Sequence, residues 1–173
     1  ERIKDDPMRV YMTNGTLPFL LKLAKKHSDI TFFFMKNEQG VLAYYEGTKK
    51  KIFSSGRTYE ALEQYGNVVM TGFVAMEHIP IQSDSKPVFE KQLPLLKEQM
   101  IKADGLISLR ILKQRRKNHY VILSQWFSKK DYEIWKEKVE EITVKNPAYF
   151  LNRRFTTGYH VIDEEELQQY EEK

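Results

Sequence analysis

The stretch from His119 to Lys138, HYVILSQWFSKKDYEIWKEK, constrains the fold more than any other part of the chain. Tyr120 to Trp126 is β-branched and aromatic with few charges, which suits a strand buried on at least one face. Ser128 ends the strand and starts a helix. Its hydroxyl can accept from the next backbone amides, Asp131 can reach back three residues, and Phe127 can pack on Tyr132 as a hydrophobic staple. Tyr132, Trp135, Val139 and Ile142 then recur at helical spacing, so Trp135 faces whatever the strand of Trp126 also covers. Both tryptophans of the chain lie in this unit. They are two core anchors, or Trp135 walls a cavity.

Around that unit the other elements can be read in order. Val10 to Thr13 is a short strand, and Thr16 caps a helix with Pro18 in its first turn and Phe19, Leu20 and Leu23 on one face. Ile30 to Met35 and Val41 to Tyr45 form a hairpin through Asn37 to Gly40. Tyr59 to Tyr65 reads as a short helix ended by Gly66 and Asn67. Val68 to Ile79 is the longest strand candidate, apolar on both faces until Glu77 and His78, hence central in its sheet. Gly72 midway implies a bulge or a close approach. Phe89, Leu93, Leu96 and Met100 mark one face of a helix over 86–103, with Pro94 kinking it at a cost of about 3 kcal/mol. Leu106 to Leu112 and Thr156 to Ile162 complete the strands.

From residue 68 onward the order is strand, helix, strand, strand, helix, strand, the split β-α-β or ferredoxin-like plan. It predicts a four-stranded antiparallel sheet with helices 86–103 and 129–141 on one face. The earlier strands need cover that their own short helices hardly provide, so a small α/β N-terminal lobe, 8–67, is expected to pack against the lobe 68–162 in a barrel-like body. Residues 163–173 form an acidic tail, and residues 1–7 an extension set aside from the fold.

Several function classes are disfavoured. The absence of cysteine excludes disulfides, thiolate metal sites and cysteine nucleophiles, and fits a reducing compartment. No run approaches the roughly 18 apolar residues of a membrane span, so a cytoplasmic protein is expected. The tail holds six carboxylates and one lysine, a net −5 that leaves +9 on the remainder of a chain totalling +4. The basic residues are scattered through turns without a nucleic-acid motif, so no nucleic-acid partner is expected, while contact with an anionic membrane surface stays open.

The opening Tyr11-Met12-Thr13-Asn14-Gly15-Thr16, followed by Phe19-Leu20, resembles that of the HmoB and TRAP (target of RNAIII-activating protein) family. The similarity continues through Gly72-Phe73, Val88-Phe89-Glu90, Gly105 to Leu112 and Tyr120 to Trp135, and covers most of Met8 to Ile162. It implies an α+β fold of the dimeric α+β barrel superfamily, with an antibiotic-biosynthesis-monooxygenase (ABM) module as the ferredoxin-like C-terminal lobe.

In the heme-degrading members the resemblance implies three residues: an asparagine on the first ABM strand, a tryptophan on the second ABM helix, and an iron-ligating histidine ten residues later. Trp135 matches the tryptophan. The other two positions carry Glu77 and Lys145, and an exposed lysine holds its proton at neutral pH and so binds iron poorly. Glu77 is expected to pair with Arg110 or to act as a general base. The candidate catalytic residues are Trp135 and Glu77, and the candidate cofactor-binding residues are Trp135, Phe73 and Lys145, with heme the implied cofactor and no other. Tyr149 is a further iron-ligand candidate, since phenolate can hold ferric heme. The four histidines read as ordinary surface or core residues, and no metal site is expected. The partner is heme or another hydrophobic small molecule, and the chain a monomer or homodimer. Two classes stay open: a protein that kept the fold with little or no heme degradation, and an active monooxygenase with a rearranged site.

Overall fold

Side chains alternate between the two faces of a strand, so a strand covered on both sides must be apolar at both parities. Most strands of this chain meet that condition because they close a barrel. The computed structural model describes residues 7–47, 51–138 and 154–171. Its strands are β1 (Arg9–Gly15), β2 (Phe33–Asn37), β3 (Gly40–Gly47), β4 (Arg57–Tyr65), β5 (Phe73–Pro80), β6 (Leu106–Gln114), β7 (His119–Trp126) and β8 (Phe155–Val161). They pair in the order β1-β3-β2-β8-β5-β7-β6-β4, and β4 returns to β1. All pairs are antiparallel.

One parity of every strand fills the barrel: Val10 and Met12 from β1, Leu42 and Tyr44 from β3, Val74 and Met76 from β5, with counterparts from the other five. The opposite parity is covered by helices in two separate patches. The outer face of β5, β6 and β7 carries Ile79, Ile111, Ile122 and Trp126 under α2 (Lys86–Lys91), α3 (Leu93–Met100) and α4 (Lys129–Lys138). The outer face of β1, β2 and β3 carries Tyr11, Phe34 and Tyr45 under α1 (Leu17–Lys26) and Leu167 of α5 (Glu164–Glu171).

Residues 68–162 thus supply the antiparallel run β8-β5-β7-β6 with its helices on one face. Ser128 caps α4 as expected: Asp131 N donates to Ser128 Oγ at 3.2 Å. Phe127, however, is no staple, since its ring is 70% exposed. The continuation of this helix to residue 141 lies outside the described residues.

Three local readings are corrected. Tyr59 to Tyr65 is strand β4, because pairing with β1 on one edge and β6 on the other outweighs the weak helical pattern. The strand expected from Val68 begins only at Phe73, because the buried Gln125 side chain captures the backbone ahead of it. Gln125 Oε1 accepts from Val69 N at 3.1 Å, and its Nε2 donates to Thr71 O at 2.8 Å. Gly72 then turns at φ +89°, with the Trp126 carbonyl where a Cβ would stand. The helix 86–103 is two helices, and Pro94 sits in the first turn of α3, where its missing N–H costs nothing. Within the acidic stretch, Asp163 and Glu166 cap α5 reciprocally, at 2.8 and 3.2 Å.

Candidate functional site

Odd residues of β5 face outward, so Glu77 stands on the same surface as Ala75, under α3 and α4. On α4, Tyr132 and Trp135 are three apart and lie side by side over that surface. Their rings are 6.4 Å apart, and Trp135 lies 5.7 Å from Trp126. Glu77, Trp135, Tyr132, Met100 and Ile122 enclose a cavity of about 10 Å³, room for one water molecule. Trp135 Nε1 is buried there with no partner among the described residues. Trp135 itself is only partly buried, unlike Trp126.

The expected partner of Glu77 is corrected. Arg110 lies on the opposite parity of β6, points into the barrel and pairs with Glu46 at 2.7 Å. Glu77 instead pairs with Arg154, which enters just before β8. Burial lowers the Arg154 pKa. The β5/β8 register sets His78 opposite Phe155 and Glu77 opposite Thr156, which brings residue 154 to this end of the sheet. That signal exists only once strands are paired. Phe73, four residues before Glu77, lies on the far side of Tyr132, 5.8 Å from its ring, and does not line the cavity. Lys145 and Tyr149 lie outside the described residues.

A second polar cluster, missed in the sequence, occupies the barrel side of the same strand. His78 Nδ1 lies 3.3 Å from His119 Nε2, and His78 Nε2 lies 3.1 Å from Thr157 Oγ1. Phe155 stacks on His78 at 4.5 Å. Burial, then His119, then Arg57 push the His78 imidazole down to about 4, and burial followed by Lys117 and Arg57 lowers His119 too. Both rings are therefore neutral in the folded chain at neutral pH. In the unfolded chain each protonates near pH ~6.5. Below that value the unfolded state binds more protons, so stability is full above about pH 6.5 and declines as pH falls toward 4. After allowance for solvent screening the loss is expected to reach about 2 kcal/mol. Urea titrations at about pH 7 and about pH 4.5 should show it, and His78→Gln should flatten the difference. Equal midpoints in the unaltered protein would refute the neutral pair.

A third feature is an open groove of about 930 Å³ over the outer face of β8, between α4 and the β2–β3 turn. Tyr132 separates it from the cavity and lines both. Among the described residues no group of three or more His, Cys, Asp or Glu side chains could hold a metal ion, and no helix is long and apolar enough to cross a membrane.

This architecture has solved counterparts. An uncharacterized ferredoxin-fold protein from Listeria monocytogenes, related to antibiotic-biosynthesis monooxygenases, superposes with a TM-score of 0.76 at 24% identity, over 90% of this chain and 95% of its own. A major regulator of staphylococcal pathogenesis superposes with a TM-score of 0.81 at 20% identity, over 88% of this chain and 98% of its own. In sequence the chain is 26% identical over 129 residues to a heme-degrading monooxygenase of Listeria monocytogenes, covering 75% of this chain and 77% of the relative. The chain shares its fold with ABM-related proteins and is similar in sequence to a heme-degrading monooxygenase. No family model matches it. Within this ABM fold, Glu77 and Trp135 meet under the helices of the ferredoxin-like part, while Phe73 belongs to the groove beside them.

Proposed function

We propose that this ABM-fold protein retains the scaffold of the heme-degrading enzymes without their reaction, as a cytoplasmic protein made of a small α/β N-terminal lobe, 8–67, packed against a ferredoxin-like lobe, 68–162. The two-lobe reading draws support from strand order, since β4-β1-β3-β2 repeats the sequence of β8-β5-β7-β6. The functional reading rests on the space beneath Trp135. A planar cofactor needs a cleft of several hundred Å³. The cavity holds about 10 Å³, and one wall is the Glu77 carboxylate paired with Arg154. Heme does not fit the cavity enclosed by Glu77 and Trp135.

Trp135, Glu77 and Phe73 then act in packing and in ion pairing rather than on a porphyrin. Lys145, ten residues after Trp135, would keep its proton at neutral pH and leave iron without an imidazole. The competing reading is an active monooxygenase with a rearranged site, and the similarity to a heme-degrading enzyme over most of the chain favours it. Titration with hemin, followed by ascorbate in air, separates the two. The expected result is binding weaker than about 10 µM, with no ascorbate-dependent loss of the Soret band. Tight binding with decay of that band would overturn the proposal.

A further inference from the structure

We infer that the groove over β8 is a binding site for a small aromatic carboxylate, separate from the Glu77–Trp135 cavity. Its volume, about 930 Å³, is in the range of small-molecule sites, whereas the cavity takes one water.

The floor is flat for a stated reason. A Cβ on Gly158 would come within 2.8 Å of Phe73 Cζ, so glycine at this point lets the Phe73 ring lie against β8. Tyr132 stands beside that ring, 5.8 Å away, and Phe127 at the rim is 70% exposed. Three aromatic rings therefore border one open space, which suits a flat apolar body.

The charge lining that space is one-sided. Lys36, Lys129, Lys136 and His160 face it with a single carboxylate, Glu38. Lys36 and His160 are engaged by Glu166, at 3.5 and 2.7 Å. Lys129 and Lys136 have no carboxylate partner among the described residues, and Lys136 Nζ lies 5.8 Å from the centre of the Tyr132 ring. An anion attached to an aromatic ring would meet the two unpaired ammonium groups at one edge and the Phe73–Tyr132–Phe127 surface at the other.

The test is an NMR titration of the full chain with naphthalene-2-carboxylate, with naphthalene-2-methanol and octanoate as comparison ligands. Saturable one-to-one binding is expected, with amide shifts confined to the start of β5, residues 127–136 and β8. The neutral alcohol and the aliphatic acid should each bind about tenfold more weakly, as should Phe127→Ala and the double variant Lys129→Glu/Lys136→Glu. The three altered side chains are solvent-exposed or partly so, and unchanged melting temperatures would confirm that the variants fold. The inference is overturned by absence of saturable binding, by shifts centred on Glu77 and Trp135, or by an affinity that neither charge reversal nor loss of the aromatic ring alters. Hemin binding under Trp135 would refute the proposed function and leave this inference standing, because the two sites share only Tyr132.

Discussion

Glu46→Ala is expected to destabilise the protein by about 3–5 kcal/mol, seen as a large fall in the urea midpoint with little change in slope. The reason lies inside the barrel, where Arg110 is 3% exposed. Its Nε donates to Glu46 at 2.7 Å, and its remaining donors reach the carbonyls of Tyr65, Leu109 and Gly66 at 2.8–2.9 Å. Tyr44 also donates to Glu46, at 2.6 Å, and burial followed by the carboxylate's charge raises the tyrosine pKa. Alanine at 46 leaves a guanidinium without its counter-charge in a space too dry to solvate it. Removing both charges, as Glu46→Leu with Arg110→Met, should recover most of the loss, because no ion then remains to be desolvated. A single variant less than about 1 kcal/mol below the parent would show that water reaches Arg110.

Trp126→Ala should be nearly as damaging, about 3–5 kcal/mol, while Trp135→Ala should cost only about 1–2 kcal/mol. The two rings differ in what covers them. Trp126 is 0% exposed, lies on the central strand β7, and its Nε1 donates to Ser124 Oγ at 2.8 Å. Trp135 sits on the helix above, partly buried, with an unpartnered Nε1 beside a cavity that already exists. Truncating it enlarges that cavity toward solvent, whereas truncating Trp126 opens a sealed void between sheet and helix. Equal losses from the two variants, in matched urea titrations, would mean that Trp135 is as enclosed as Trp126.

Much of the second half was legible because its signals are local. Helical spacing placed Phe89, Leu93, Leu96 and Met100 on one face, and all four lie in the core under α2 and α3. Strand alternation put Glu77 and His78 on opposite faces, and they are found there, one under the helices and the other inside the barrel. The grouping of Glu77 with Trp135 was implied by the family resemblance, and both side chains line one cavity. What failed depended on partners far along the chain. Arg154 was invisible as the partner of Glu77 because they are 77 residues apart and meet only through the β5/β8 register.

By itself, then, the amino-acid sequence determined the element order after residue 68, the capping of α4, the inward and outward faces of β5, and the absence of any cysteine chemistry. These follow from spacing, hydroxyl caps and composition, which act over one or two turns of chain. Only the tertiary structure decided that Tyr59 to Tyr65 is the strand closing the barrel, that Gln125 holds residues 69–71 out of the ladder, that Arg110 belongs to Glu46, and that the cavity between Glu77 and Trp135 has room for no more than about one water molecule. Each of those outcomes is a competition among hydrogen-bond and packing partners brought together by strand register, and register is a property of paired strands rather than of any one segment.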